Sequence, residues 1–269
     1  MKLASFDIFD TTLVRKCGAP DNIFYLLSKR IYPQNQALQN SFFQWRKEAE
    51  QKAMIRLKDN YLKLEDIYTE FDTVSFPGWN VAQLITMETE LEFAELVAVD
   101  EIKQLILKKR NEGYTICFIS DMYLPERVLK SKLLEEGCAD IGDKVFVSCE
   151  YRATKSEGTL YEIVRKNFDP ITLWEHYGDN AYSDYKKAAK RGIKATLVHT
   201  DYTSVEQFIL SSSAFFPFYS DLSVLVGLQR ATRLSLQKKG DNIDNATDFI
   251  ASLYYPSVSY THLTLPTIA

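Results

Sequence analysis

Leu3-Ala4-Ser5-Phe6-Asp7-Ile8-Phe9-Asp10-Thr11-Thr12 is an apolar run that breaks into two acids and two hydroxyls within six residues. A run of Leu, Ala, Phe and Ile so early in the chain reads as the central strand of a parallel sheet, because strands covered on both faces show no polar side. Ligands of such sheets bind just beyond the strands' carboxyl ends. The acids that follow the run therefore stand where chemistry is done. Three later stretches repeat the grammar of apolar residues followed by polar ones: Thr115-Ile116-Cys117-Phe118-Ile119-Ser120-Asp121, Thr154-Lys155, and His176-Tyr177-Gly178-Asp179-Asn180 with Ser183-Asp184. Together they read as one site.

Outward from the first strand, Leu13 to Pro20 reads as a short exit loop, closed by Gly18-Ala19-Pro20 and by Asp21 as an N-cap. From there to about Val97 the pattern is helical. One stripe runs through Ile23, Phe24, Leu26, Leu27 and Ile31, and a second through Phe42, Phe43, Trp45, Ala49, Ala53 and Met54. A short helix spans Leu64 to Phe71, and a fourth stripe follows at Leu84, Met87, Leu91, Ala94 and Val97. Helices with no strand between them make an insert of about 75 residues, enough for a small bundle of its own. It reads as a lid.

From Val99 strand alternates with helix, as right-handed β-α-β crossovers in one sheet require. A helix through Ile102 and Ile106 ends at Asn111-Glu112-Gly113, and the strand Thr115 to Ile119 delivers Ser120 and Asp121. The helix Glu126 to Glu136, the strand Lys144 to Ser148 and the helix Glu157 to Phe168 follow. Leu173 to Tyr177 is the next strand, Tyr182 to Arg191 the next helix and Lys194 to His199 the last strand. Beyond Thr203 the pattern weakens: Ser211-Ser212-Ser213 reads as a connection, Leu222 to Leu236 and Ala246 to Tyr254 as helices, and Gly240-Asp241-Asn242 as a turn. These helices either pack on the sheet or open a further domain. Residues 257–269 resemble a translated sequencing adapter joined in frame, which would put the natural continuation beyond Pro256; the alternative is a natural apolar tail.

The 269 residues are 46% hydrophobic, ample for a packed core. Thirty-two basic against 36 acidic residues leave a net charge of −4, so no basic excess points to nucleic acid or to a membrane surface. No run reaches the roughly 18 apolar residues of a spanning helix, and the chain enters its first strand without a signal peptide, so a cytoplasmic protein is expected. Cys17, Cys117, Cys138 and Cys149 are scattered, without metal-ligand or disulfide spacing, and read as buried thiols.

Acids, a hydroxyl and a lysine converging at neighbouring strand ends suit phosphoryl transfer assisted by a divalent cation, since magnesium prefers carboxylate oxygens and water. A lysine neutralises charge on phosphoryl oxygens, and an aspartate can attack phosphorus to form an aspartyl-phosphate.

In order and spacing these motifs resemble those of the haloacid dehalogenase (HAD) superfamily over about residues 3 to 200. The family's Asp at a strand end with a Thr four residues later is matched by Asp7 and Thr11, and its Ser or Thr ending a strand by Ser120. Its Lys before a helix is matched by Lys155, and its acidic pair after a strand by Asp179 and Asp184. The resemblance implies a doubly wound parallel Rossmann-like α/β sheet with a helical cap inserted after the first strand. Residues 1–16 and 99–202 would form the core, 17–98 the cap and 203–256 a helical C-terminal segment. It implies Asp7 as nucleophile, Ser120 and Lys155 as holders of the phosphoryl group, and Thr11, Asp121 and Arg15 as substrate contacts. Magnesium would be bound by Asp7, the Phe9 backbone carbonyl, Asp179 and Asp184. The substrate would be a small phosphorylated metabolite such as a sugar phosphate. The phrases around Asp7 and Ser120 most resemble a bacterial subgroup found with, or fused to, glycosyltransferases of surface-polysaccharide synthesis, which would make such an enzyme a partner.

One departure stands out. HAD phosphatases carry a second Asp two residues after the nucleophile as general acid and base, and here that position is Phe9. Such help is worth about 10²–10⁴ in rate. Asp10 is adjacent, but along a strand it should point to the opposite face. Two alternatives follow: a phospho-ligand-binding or regulatory module with weak turnover, or a metal-independent dehalogenase, whose family members carry an aromatic at this position but lack the full acidic pair. Other residues have plainer readings beside the sharp ones: Arg15 as a solvated surface arginine, Asp121 as a turn or helix cap, His176 and His199 as satisfied structural histidines. Phe42, Phe43 and Trp45 read as cap core, and Lys186-Lys187 with Lys190-Arg191 as the wet face of a helix packing Ala188 and Ala189 inward.

Overall fold

The apolar run at the amino terminus forms β1 (Lys2–Asp7), followed by a three-residue β2 (Leu13–Arg15). Four helices come next: α1 (Pro20–Ile31), α2 (Gln36–Leu57), α3 (Leu64–Ile67) with a 3₁₀ turn Tyr68–Glu70, and α4 (Val81–Glu95). After β3 (Leu96–Ala98) the chain alternates through α5 (Asp100–Asn111), β4 (Thr115–Ser120), α6 (Glu126–Glu135), β5 (Lys144–Val147), α7 (Ser148–Tyr151) and α8 (Thr159–Phe168). Then come β6 (Leu173–Gly178), a π-helical turn Ala181–Lys186, α9 (Lys187–Ala189), β7 (Lys194–Leu197), α10 (Ser204–Ser213) and α11 (Tyr219–Ser235). The computed structural model describes residues 1–58, 61–213 and 219–235. The expected helix Ala246 to Tyr254, the turn at Gly240 and the segment 257–269 lie outside them.

Five parallel strands form one sheet in the order β5-β4-β1-β6-β7, so β1 is central as its composition demands. Its side chains alternate between two buried layers. Ala4 and Phe6 join Ile116, Phe118, Val145 and Val147 against Leu129 and Leu133 of α6, whereas Leu3 joins Cys117, Ile119 and Phe146 against Leu160 and Val164 of α8. A sheet with helices on both faces and its first strand in the middle is a doubly wound α/β sheet. The four cysteines are buried free thiols, and no helix among the described residues is long and apolar enough to cross a membrane.

The exit loop expected at Leu13 to Pro20 is instead strand at its start. Leu13, Val14 and Arg15 pair antiparallel with Ala98, Val97 and Leu96, and the helical cap grows from the far end of this ribbon. Three-residue strands are too short to show a period, and their partner lies some eighty residues away in the sequence. Val97, read as the end of the fourth stripe, belongs to β3. The N-cap of α1 is Ala19, with Pro20 opening the helix, and Asp21 sits in the first turn, paired with Lys47 at 2.9 Å. Ser211 lies in α10 rather than in a connection.

The cap has a charged core. The buried positions of α2 are Gln39, Phe42, Arg46, Ala49 and Ala53, a regular helical stripe that includes two polar side chains; Phe42 is buried as expected of cap core. The Arg46 guanidinium is wholly buried, donates to both oxygens of Glu88 at 2.8 and 2.5 Å and lies 4.1 Å from the Phe24 ring centroid. Tyr68 donates its hydroxyl to the same Glu88 at 2.6 Å. Removing one partner of a buried ion pair strands the other. Arg46→Ala is therefore expected to cost about 3–5 kcal/mol in urea denaturation.

Away from the strand ends that carry Asp7 and Ser120, Glu175 accepts from Lys109 at 2.7 Å, Lys194 at 2.9 Å and the Tyr177 hydroxyl at 2.7 Å. Burial alone would raise its pKa, but these donors outweigh burial and hold it at about 2. Because the folded value is depressed, this stability is full above the ordinary glutamate range and is lost as pH falls toward 2. Glu175→Gln should cost roughly 3 kcal/mol at pH 7, and denaturation curves of the two proteins should converge as pH falls from about 4.

Of the segment beyond Thr203, the described residues include α10 and α11. α11 packs on the cap and on the loop after β1: Asn22 donates to Ser223 at 2.9 Å, while Tyr25 and Lys29 donate to Asp221 at 2.8 and 2.7 Å. Gly227 lets the helix lie against the Gly18 backbone, where an added Cβ would come within 2.3 Å of the Gly18 nitrogen.

Candidate active site

Asp7 ends β1, Ser120 ends β4 and Asp179 follows β6, so three adjacent parallel strands open on one edge. Asp7 lies opposite Ile119 in the ladder, which places Ser120 one residue beyond it. The Thr12 hydroxyl donates to the Asp7 backbone carbonyl at 2.5 Å, fixing the turn that leaves the strand. The Thr11 hydroxyl lies 3.2 Å from Asp7 Oδ2 and 3.3 Å from Asp179 Oδ1, bridging the two carboxylates. Lys155 Nζ bonds Asp7 Oδ1 and sits 2.7 Å from Asp184 Oδ1. Asp7, Thr11, Lys155, Asp179 and Asp184 are thus gathered as the motifs require.

Asp184 is set by local backbone. Gly178 has no side chain, and a Cβ there would stand 2.4 Å from Asp184 Cγ, so only glycine lets this carboxylate approach the strand end. The Asn180 side chain caps the π-helical turn by accepting the amides of Tyr182 and Ser183, and the Asn180 amide donates to Asp184 Oδ2 at 3.1 Å. π-turns widen a helix by one residue and commonly aim functional side chains.

Behind Asp184 lies a buried relay. Ser5 Oγ is 2.8 Å from His176 Nδ1, and His176 Nε2 is 3.2 Å from Asp184 Oδ1 and 3.0 Å from the Tyr161 hydroxyl. Tyr161 gives its proton to the Ser183 carbonyl at 3.1 Å, so it accepts from Nε2–H, which leaves Nδ1 to accept from Ser5. Burial lowers the pKa of His176 and keeps the ring neutral. It is a satisfied structural histidine, as expected, whose second role is to orient an acid. His199 is different: it is exposed and lies 3.4 Å from Asp201, not a packed histidine.

Burial pushes the Asp7 carboxyl well above its ordinary value, Lys155 opposes the shift, and Asp184 and Asp179 add to it. For Asp184 burial is outweighed by Lys155 and His176, so its pKa falls below the ordinary range. Burial, then Asp10 and Asp184, raise Asp179. Lys155 stays charged because Asp7 and Asp184 outweigh its desolvation. Three carboxyl groups, each with an oxygen within 4.8 Å of the others, face the Lys155 ammonium, so their full ionisation would leave a surplus of two negative charges. An all-oxygen donor set with that surplus fits a hard divalent cation.

Two expected substrate contacts, Arg15 and Asp121, line the cleft between cap and core and also make structural bonds. Arg15 is buried, neither solvated nor free: its guanidinium forks onto Glu92 of α4 at 2.9 Å and lies 4.4 Å from the Phe9 ring centroid, tying the ribbon to the cap. Asp121 accepts the backbone amides of Lys155 at 2.9 Å and Ser156 at 3.4 Å, so it shapes the lysine loop. Asp10 is not strand-like. It adopts φ +54°, and Arg230 of α11 donates to its carboxylate at 2.8 Å while bonding the Thr200 carbonyl at 2.7 Å. That bond spans 220 residues, and no local signal could have revealed it. Ala188 packs inward beside the basic run, but Ala189 is exposed.

A cleft of about 540 Å³ separates cap from core beside these residues. The core side carries Phe9, Asp121 and Tyr123; the cap side carries Phe24, Glu50 and Met54.

Comparison with solved structures places this arrangement. An L-2-haloacid dehalogenase from Xanthobacter autotrophicus superposes with a TM-score of 0.53 and 16% identity, over 84% of this chain and 88% of that one. The HAD-hydrolase YfnB from Bacillus subtilis, bound to magnesium, gives 0.51 and 17% over 75% and 90%. A HAD phosphatase from Thermococcus onnurineus gives 0.50 and 17% over 76% and 88%. No protein-family model matches the sequence, and neither does any curated protein. The chain has the fold of the haloacid dehalogenase superfamily.

Proposed function

We propose that the protein is a magnesium-dependent phosphohydrolase that cleaves a small phosphorylated metabolite through an aspartyl-phosphate on Asp7. The observation that carries this reading is the cluster of Asp7, Asp179 and Asp184 around the single ammonium of Lys155. Lys155 and the Ser120 hydroxyl hold the phosphoryl oxygens, and an Asp7 oxygen attacks phosphorus as the leaving oxygen departs. Water then cleaves the acyl phosphate and restores the carboxylate. Magnesium, held by Asp7, Asp179, Asp184 and the Phe9 carbonyl, supplies the positive charge that offsets the phosphoryl oxygens and lets the acids coexist. Thr11 keeps Asp7 and Asp179 in register.

Phosphate release from a panel of phosphomonoesters is expected to require magnesium and to stop on adding EDTA. Release that persists in EDTA sinks the reading. The aromatic Phe9 favours one competitor, a metal-independent dehalogenase, in which Asp7 would displace halide. A 2-haloacid carboxylate would there meet the acidic surplus, which argues against it. Halide release from 2-chloropropionate in EDTA would establish it.

A further inference from the structure

The phosphohydrolase reading leaves a chemical gap, because an alkoxide departs poorly without a proton and Phe9 has none to give. The cleft is lined by four carboxyl groups. Asp10 is paired with Arg230 at 2.8 Å, Asp21 with Lys47 at 2.9 Å, and Asp121 is spent on the amides of Lys155 and Ser156. The remaining one is Glu50 on α2, which has no hydrogen bond or ion pair among the described residues.

We propose that Glu50, on the cap side of the cleft whose core side carries Phe9 and Asp121, is the general acid and base of the reaction in place of the residue that Phe9 replaces. The proposal rests on the phosphohydrolase reading. As the bond from Asp7 to phosphorus forms and the bond to the leaving oxygen breaks, the Glu50 carboxyl gives its proton to that oxygen. In the second step water attacks phosphorus, its proton passes to the Glu50 carboxylate, and the bond to Asp7 breaks to free phosphate. Both groups return to their starting states.

The surroundings suit the task. Phe24, Met54 and Tyr123 line the same cleft and limit water around the carboxyl. The charged groups about it are Arg46 and Lys47 on its own helix, Asp21 on α1 and Glu88 on α4. Arg46 gives Nε and Nη2 to Glu88, and Lys47 pairs with Asp21, so neither cation forms an ion pair with Glu50. Burial raises its pKa, Arg46 opposes, and Glu88 and Asp21 add to the rise, which favours the protonated form an acid needs. Phe9 meanwhile covers the Arg15 guanidinium at 4.4 Å, so the position that lost its acid has become part of the seam between ribbon and cap.

The test is leaving-group dependence in the full chain with magnesium, using glycerol phosphate and p-nitrophenyl phosphate as probes. A nitrophenolate leaves without a proton, whereas an alkoxide does not. Glu50→Gln should lower kcat for the alkyl ester by a factor roughly 10² greater than its loss on the nitrophenyl ester. Equal losses on both esters, or no loss on the alkyl ester, overturn the proposal; the nitrophenyl rate also reports that the variant is folded. Asp7→Asn should lose both activities alike. A wild type that hydrolyses neither ester removes the phosphohydrolase reading itself, and the role of Glu50 with it.

Discussion

Asp7→Asn is expected to lower phosphatase turnover by roughly 10⁵-fold or more, because the amide cannot attack phosphorus and no neighbouring acid is placed to replace it. Asp10 is held by Arg230, Asp179 shares the Thr11 hydroxyl, and Asp184 is drawn toward Lys155 and His176. The same substitution should not weaken the fold at neutral pH. Burial raises the Asp7 pKa, so ionising it costs the folded state stability once the pH exceeds the ordinary aspartate value. A neutral isostere escapes that cost. Equal or higher resistance to urea at pH 7, with activity gone, would separate a catalytic loss from a structural one.

Lys155→Met should do both kinds of damage. It leaves Asp7 and Asp184 facing each other in a buried site with Asp179 nearby, at a cost of about 3–5 kcal/mol at pH 7. Turnover should fall by about 10³-fold, since the charge on the transferring group loses its one fixed cation. The pH dependence has a definite sign. Asp184 is held below its ordinary pKa, so the stability it contributes is full above about pH 4 and is lost as pH falls further. The gap between wild type and variant should therefore be widest near neutrality and close on acidification. Magnesium should restore part of the variant's stability, by binding the acids that the lysine no longer serves. Urea titrations from pH 7 to pH 3, with and without magnesium, would check both statements.

How far the sequence could be read depended on the range over which each signal acts. The sheet announced itself because strands buried on both faces, such as Leu3 to Phe6 and Ile116 to Ile119, must be apolar throughout. The helix ends at Gly113, Gly137 and Gly192 were legible because each adopts a positive φ just past its helix. The acids and the lysine at the strand tips stood out because charge at the end of a buried strand is costly without a partner.

What escaped the sequence reading was long-range pairing. Arg15 and Glu92, Arg46 and Glu88, and Asp10 and Arg230 are each a surface-like residue when seen alone, and become core only through a partner from a distant element. The second helix shows the effect clearly. Phe43 and Trp45 do pack against the cap core, Trp45 on the rings of Phe42, Phe71 and Phe76, but the fully buried positions also include Gln39 and Arg46, which no apolar stripe marks. Asp121, beside Ser120 at a strand tip, shows a capping role that the sequence also allowed: its carboxylate accepts the amides of Lys155 and Ser156.

A crystal structure of the protein with magnesium and beryllofluoride would probe the acid cluster most directly, since it needs no knowledge of the substrate. The expected density places beryllofluoride on an Asp7 oxygen, magnesium among Asp7, Asp179 and Asp184, and Lys155 turned onto the fluorides. Beryllofluoride absent from Asp7, with Lys155 still bridging Asp7 to Asp184 and no cation between the acids, would contradict it.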